Sequence, residues 1–374
     1  MRSTPRRADI SSRRFERILL IKPSSLGDVV HALPVLHALR ARFAEARIDW
    51  LIASSLAELI DGHPAVNHAV RFDRQRFGRI GLSPRITAEF LRFLADLRRR
   101  RYDLVIDLQG LFRSGFLARA TGSDVRVGMH EAREGAGLFY THRAPECDRD
   151  AHAVDRCLSI GQLLGFPDAP ACFDLALPNA IVDEAERLLR TAGAKADDLL
   201  VAMVPGARWE TKRWPVERFA RVVDILHESP GVRCVLLGGE SERGLCRQIV
   251  LQSERPAVDL SGHTGLRLLA AVLSRADVVL CHDSGAMHLA TAMGRPLVCL
   301  VGPTNPRRTG PYRRETDVLR VELECAPCYL RRLSQCPYEH RCMMDLEVER
   351  VVEALHAALG NRRSLAAESM HFSK

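Results

Sequence analysis

Aromatic residues are scarce in this chain of 374, at 6%, which makes the stacking platform on which single-stranded nucleic acid lies a weak expectation. No apolar run approaches the roughly 18 to 20 residues that a membrane-spanning helix needs. The arginines of residues 1–14 have no apolar stretch behind them, which argues against a secretory leader. Two glycine signatures are also absent, the Gly-x-Gly-x-x-Gly of dinucleotide binding and the Gly-x-x-x-x-Gly-Lys-Ser/Thr of P-loop enzymes. A dehydrogenase or an NTPase thereby loses most of its support. No segment of 20 to 50 residues repeats. What is present, 47% hydrophobic and 27% charged residues, is the composition of a soluble globular protein, expected in the cytoplasm. The length suggests two domains of about 150 to 200 residues each. Eleven cysteines in such a setting argue for reduced thiols or a metal site, not a disulfide framework.

The net charge of +8 is unevenly placed: residues 1–180 hold 27 Lys and Arg against 21 Asp and Glu. Arg71, Arg74, Arg76 and Arg79, then Arg98 to Arg101, are its densest clusters. They read either as solvated surface or as attraction for phosphates or an anionic membrane face. Apolar runs bounded by turns alternate with amphipathic stretches, the pattern of parallel sheets covered by helices on both faces. Strands are expected at 17–22, 48–53, 69–72 and 104–108, with helices at 29–43 and 88–100. After a turn-rich segment at 167–178 a second series begins, with strands at 199–204, 232–237, 278–281 and 297–301. Helices near 215–228, 241–252 and 266–274 lie between them. The fold class is therefore α/β: two Rossmann-like, doubly wound domains facing across a cleft, with ligands beyond the carboxyl ends of the strands.

Polar residues gather at those ends. Cys281-His282-Asp283-Ser284-Gly285-Ala286-Met287-His288 joins a strand directly to a helix start, where free N–H groups and the helix dipole favour a phosphate or diphosphate. Asp283 or Ser284 could equally be a simple N-cap. After the first strand comes Pro23-Ser24-Ser25-Leu26-Gly27-Asp28, in which Gly27 allows close backbone approach and Asp28 is a carboxylate at the cleft edge, or again a helix cap. The helix it feeds is expected to be interrupted by Pro34. Pro205-Gly206-Ala207-Arg208-Trp209-Glu210-Thr211-Lys212-Arg213-Trp214-Pro215 places a glycine turn and several cations in one loop, with Lys212 and Arg213 as diphosphate partners. Glu240 and Glu242, after the next strand, could accept ribose hydroxyls or only offset a helix dipole.

Taken in order, Lys22-Pro-Ser-Ser-Leu-Gly-Asp28, Asp107-Leu-Gln-Gly110, Pro205-Gly-Ala with Lys212-Arg-Trp-Pro215, Asp283-Ser-Gly-x-x-His288 and Gly302-Pro-Thr304 form a set. Over residues 16–358 the chain resembles glycosyltransferase family 9, the ADP-heptose:lipopolysaccharide heptosyltransferases. The resemblance implies a GT-B architecture, an inverting transfer and no catalytic metal or other cofactor. It places the catalytic carboxylate on Asp28, as general base on the acceptor hydroxyl. Stabilisation of the leaving ADP falls on Lys212 and the backbone at Ser284 and Gly285, with Asp283 holding the heptose and His288 on the phosphate side. Glu242, or Glu240 in its place, matches the ribose-binding acid, and Thr264 the residue beside adenine. Ser24, Ser25, Gly27 and Arg113 are expected at the acceptor, either Kdo-lipid A or its monoheptosylated form. Such an anionic glycolipid implies a cytoplasmic enzyme held peripherally at the inner membrane, with no nucleic-acid partner. A GT-B transferase for another NDP-sugar or a protein acceptor, and a catalytically silent binding protein, stand as alternatives.

Domain limits follow: residues 1–14 disordered, 15–178 binding acceptor, 179–345 binding donor, a helix at 346–360 crossing back to the first domain, and a disordered tail at 361–374. Cys325-Ala-Pro-Cys328, Cys336 and Cys342 could bind a structural Zn or Fe tetrahedrally, as a similar cluster does in some relatives, or be four reduced thiols in a loop. His31, His37 and His263 read as core or surface histidines, although His31 lies one turn from Asp28. Trp209 and Trp214 are expected to pack the domain interface.

Overall fold

The computed structural model describes residues 9–371, with side chains described as far as Gly360. The chain divides into two compact units at Ala176/Leu177, beside the boundary expected after residue 178. Residues 1–8 and 372–374 of the two expected disordered ends lie outside the described residues. Ile10 and Phe15, by contrast, are buried. The last helix continues as far as His371, past residue 360.

The first unit holds β1 (Arg17–Ile21), β2 (Arg47–Ala53), β3 (His68–Phe72), β4 (Leu104–Asp107), β5 (Val125–Gly128) and β6 (His142–Arg143) in one sheet, ordered β3-β2-β1-β4-β5-β6. All its pairings are parallel. Ile18, Leu19, Leu20 and Ile21 are wholly buried, because a central parallel strand is covered on both faces and so reads as a continuous apolar run. The second unit repeats the order. Its strands are β7 (Leu199–Val204), β8 (Val232–Leu236), β9 (Val258–Asp259), β10 (Val278–His282), β11 (Leu297–Leu300) and β12 (Val318–Leu319), arranged β12-β11-β10-β7-β8-β9. Each sheet reverses direction of winding once, between β1 and β4 and between β7 and β10. That switch point is where a doubly wound sheet opens a crevice for a ligand. Two such sheets in succession make the GT-B fold.

Two expectations change. Helix α1 (Leu26–Arg42) runs unbroken through Pro34; its residues 29–36 are all buried, so packing offsets the one lost backbone bond. Trp214, expected at a domain interface, is found in the second unit's own core with Phe219, and its indole N–H donates to the Leu346 carbonyl at 3.0 Å. The short strands β5, β6, β9 and β12 have no long apolar run to mark them, and helix α2 (Phe112–Ala120) and helix α3 (Asn179–Thr191) also go beyond the expected elements. Helix α4 (Gly285–Ala292) follows β10 after only two residues, Asp283 and Ser284. Helix α5 (Val348–His371) sets Val351 and Leu355, both fully buried, into the core of the second unit.

Candidate functional site

In the first unit the polar residues meet at the β1/β4 switch point. Lys22, 6% exposed, directly follows β1 and donates to the Leu108 carbonyl beyond β4 at 2.9 Å. Its ammonium also pairs with Asp28 Oδ1 at 3.2 Å. Asp28 lies in the first turn of α1, and its Oδ2 accepts the Ser25 N–H at 2.7 Å and the Ser25 hydroxyl at 2.8 Å. It therefore does serve as a helix cap, the reciprocal half of a capping box, and its side chain is still 39% exposed. Burial raises the Asp28 pKa, but the Lys22 charge and the Ser25 donors outweigh it and hold the carboxyl below its ordinary value. Gly27 is buried, Ser24 half-buried, and Arg113 exposed in the first turn of α2.

Beside them Asp107 is fully buried at the end of β4. It accepts from the N–H groups of Gln109 and Gly110, at 2.8 and 3.2 Å, and from the Tyr140 hydroxyl at 2.7 Å. Burial dominates here and pushes this carboxyl up, against the pull of those donors. The Tyr140 ring occupies space that exists only because residue 128 is glycine: a Cβ there would stand 2.1 Å from the ring. His31 is buried edge-on to His152, with ring centroids 5.3 Å apart, and His37 Nε2 lies 2.9 Å from the Asp174 carbonyl.

In the second unit three strand ends contribute. Lys212, in the loop after β7, donates to Asp283 Oδ2 at 2.7 Å and to the Asp283 carbonyl at 3.0 Å. The Thr304 hydroxyl, after β11, donates to the same Oδ2 at 2.6 Å. Trp209 stacks with cations of this unit: the Lys212 ammonium lies 4.7 Å from the centre of its ring and the Arg331 guanidinium 5.0 Å. Ser284, after β10, is the N-cap of α4, with extended backbone. Its Oγ is buried with no hydrogen-bond partner. A hydroxyl without a partner beside the N–H groups of a helix start is able to take an anion's oxygens. His288, one turn on, is buried.

Glu242 and Glu240 separate clearly. The Glu242 carboxylate accepts the Gly239 N–H at 2.7 Å and rests against Gly206, where a Cβ would stand 1.9 Å from its Oε1. Glu240 turns to Arg243 instead. Thr264 is half-buried in the loop after β9, and His263 Nδ1 lies 3.0 Å from the Ser261 carbonyl. His282, the last residue of β10, is fully buried; its Nε2 accepts the Trp214 N–H at 2.9 Å, which leaves the ring proton on Nδ1 beside the Gly206 backbone. Burial drives its pKa down to about 3, so the ring is a neutral tie between the β7 loop and β10.

Lys22, Thr304 and Tyr140 join the site with no role assigned to them from the sequence, although Lys22 and Thr304 fall within its motifs. Lys22 has a signal, a lone cation closing an apolar strand, and Thr304 lies within Gly302-Pro-Thr304. Tyr140 has none, being 33 positions from Asp107.

The four cysteines expected either at a structural metal or as reduced thiols come together in the second unit. Cys325, Cys328, Cys336 and Cys342 do line one small cavity of about 30 Å³, with Pro303, Leu323 and Leu330 among its other walls. Among the described residues, however, no group of three or more His, Cys, Asp or Glu side chains is placed to hold a metal. Cys342 belongs to the apolar core and packs on Gly302, and burial, then its three neighbours, push its thiol up to about 11.

Comparison with known proteins gives a consistent set. The family described as glycosyltransferase family 9 (heptosyltransferase) matches residues 90–339. Lipopolysaccharide heptosyltransferase 1 of Pseudomonas aeruginosa is 31% identical over 337 residues, 89% of this chain and 92% of that protein. Lipopolysaccharide heptosyltransferase 2 of Salmonella typhimurium is 28% identical, covering 92% and 98%. The solved structure of the E. coli heptosyltransferase WaaC with ADP superposes with a TM-score of 0.70 at 26% identity, over 91% of this chain and 99% of that one.

Proposed function

The chain belongs to glycosyltransferase family 9, and from that premise we propose that it transfers heptose from ADP-heptose to Kdo-lipid A, with Asp28 as general base. As a heptosyltransferase of lipopolysaccharide core assembly it needs a base for the acceptor hydroxyl and a cradle for the departing diphosphate. Asp28 suits the first role, because it is ionised at neutral pH and partly exposed at a switch point. As the acceptor oxygen loses its proton to Asp28 it attacks the anomeric carbon, and the bond to ADP breaks with its electron pair leaving on the diphosphate. The configuration inverts in one displacement.

One observation carries the donor half. The buried, unpartnered Ser284 hydroxyl stands at a helix start beside the Lys212–Asp283–Thr304 cluster. Preorganised N–H groups and a cation aimed at developing charge are what a diphosphate leaving group requires. In this reading Lys212, Ser284 and Gly285 take the diphosphate, with His288 on the phosphate side and Asp283 on the heptose. Glu242 takes the ribose and Thr264 lies beside adenine. Ser24, Ser25, Gly27 and Arg113 serve the acceptor, and the more basic first unit meets the anionic leaflet that carries it.

The choice of the first heptose rests on a higher identity to the Pseudomonas relative named heptosyltransferase 1, 31%, than to the Salmonella relative named heptosyltransferase 2, 28%. Incubation with ADP-heptose and either Kdo-lipid A or its monoheptosylated form, followed by mass spectrometry, tests the reading. The expected result is one added heptose on Kdo-lipid A alone. A product only on the monoheptosylated lipid would reassign the step, and no product with either would overturn the activity.

A further inference from the structure

Lys22 is absent from the roles assigned above, yet it is a deeply enclosed cation at the first unit's switch point, 6% exposed. A lysine in the centre of an α/β core loses its hydration, and burial alone would lower its pKa; the Asp28 charge reverses that and raises it. Its position is fixed at both ends. The main chain continues β1, with the Lys22 N–H donating to the Leu51 carbonyl at 3.2 Å and its carbonyl accepting the Trp50 indole N–H at 3.2 Å. The ammonium is pinned between the Leu108 carbonyl and Asp28 Oδ1, at 2.9 and 3.2 Å.

A carboxylate offers about four acceptor positions, two on each oxygen. In Asp28 both positions on Oδ2 are taken by Ser25, and one on Oδ1 by Lys22. One position remains, on Oδ1. We propose that Lys22 is a positioning residue for the transfer: anchored on the Leu108 carbonyl, it holds Oδ1 so that the one free acceptor position of Asp28 is aimed at the acceptor hydroxyl. The inference rests on the reading of Asp28 as the base. It also ties that base to the Asp107–Gly110 turn, because the Leu108 carbonyl belongs to it. The other ionisable groups facing the pair are Asp107 from β4 and the buried Cys157 thiol from the helix Ala153–Leu158, with Arg156 and Glu131 beside that thiol. His31 and His152 form the ring pair of the same region. Asp107 and Cys157 are both fully enclosed and both pushed up, by burial first, whereas Asp28 is held down and keeps a partly exposed side chain.

The test compares full-length Lys22→Met with the unaltered enzyme across pH, with Asp28→Asn as the reference. For Lys22→Met, kcat is expected to fall roughly ten- to a hundredfold, with the donor KM nearly unchanged. The acidic limb of its kcat/KM profile should move to higher pH, because Asp28 loses the charge that keeps it ionised. Lys22→Gln keeps a donor for the Leu108 carbonyl without the charge and reads the same shift should the methionine variant not fold. Folded variants whose acidic limb stays in place would overturn the inference and leave Lys22 purely structural. Full turnover by Asp28→Asn would instead overturn the assignment of the base itself, so the two failures are distinguishable.

Discussion

Asp28, Lys212 and Glu242 each have their charge satisfied by groups close at hand, so each is oriented before any substrate arrives. For Lys212 the partner is Asp283, with 15% and 7% of the two side chains exposed. Lys212→Ala should lower kcat by roughly a hundred- to a thousandfold, as loss of an electrostatic stabiliser does, while far-ultraviolet circular dichroism stays unchanged. The second residue-scale prediction concerns Gly206. A methyl group there meets the Glu242 carboxylate, so Gly206→Ala should push Glu242 aside and weaken ADP binding by about 2 kcal/mol. Titration calorimetry with ADP measures it, and unchanged affinity would remove Glu242 from the nucleotide site. These side chains could be proposed from the sequence because each follows an apolar strand. Their pairings could not: Lys212 and Asp283 are 71 positions apart, and the distinction between Glu242 and Glu240 depends on which carboxylate finds the notch at Gly206.

Elements with a strong apolar signal were the legible ones. The run Ile18 to Ile21 and its counterpart Val278 to Cys281 are buried on both sides of their sheets, so hydrophobicity alone marks them. The two-residue strands β6, β9 and β12 carry no such mark, because edge pairing is decided by the neighbouring strand's open hydrogen bonds and not by local side chains. Pro34 shows the opposite error: its local penalty is visible in the sequence and the compensating burial is not. At β5 the relevant constraint is the missing side chain of Gly128. Gly128→Ala should force the Tyr140 ring from its place and cost about 1–3 kcal/mol of first-unit stability by overpacking. Chemical denaturation monitored by tyrosine and tryptophan fluorescence gives the value, and a neutral result would show that Tyr140 has room to move.

At the level of the whole molecule, two similar sheets carry different chemistry, and their stabilities should respond to different conditions. His282 has a folded pKa of about 3 against an ordinary 6.5. The unfolded chain therefore binds a proton that the folded second unit refuses once pH drops below 6.5. The stability from His282 is fully present above that value and is lost progressively as pH falls toward 3. Denaturant midpoints of the second unit should decline as pH falls from the ordinary 6.5 toward the folded value of about 3, and His282→Asn should flatten that decline even if it lowers the midpoint at neutral pH. An unchanged slope would mean that the ring takes up its proton in the folded state.

Residues read in order, with no coordinates, establish a two-part α/β chain of this family, since apolar periodicity dictates which segments are strands and the polar loops after them must lie at their carboxyl ends. Which polar groups meet was settled by folding. It joined Lys22 to Asp28 and Leu108, brought Thr304 to Asp283, and gathered Cys342 with Cys325, Cys328 and Cys336 around one small cavity. The reason is physical: burial and hydrogen bonding act between groups close in space, and the sheet order that makes them neighbours is set by long-range packing.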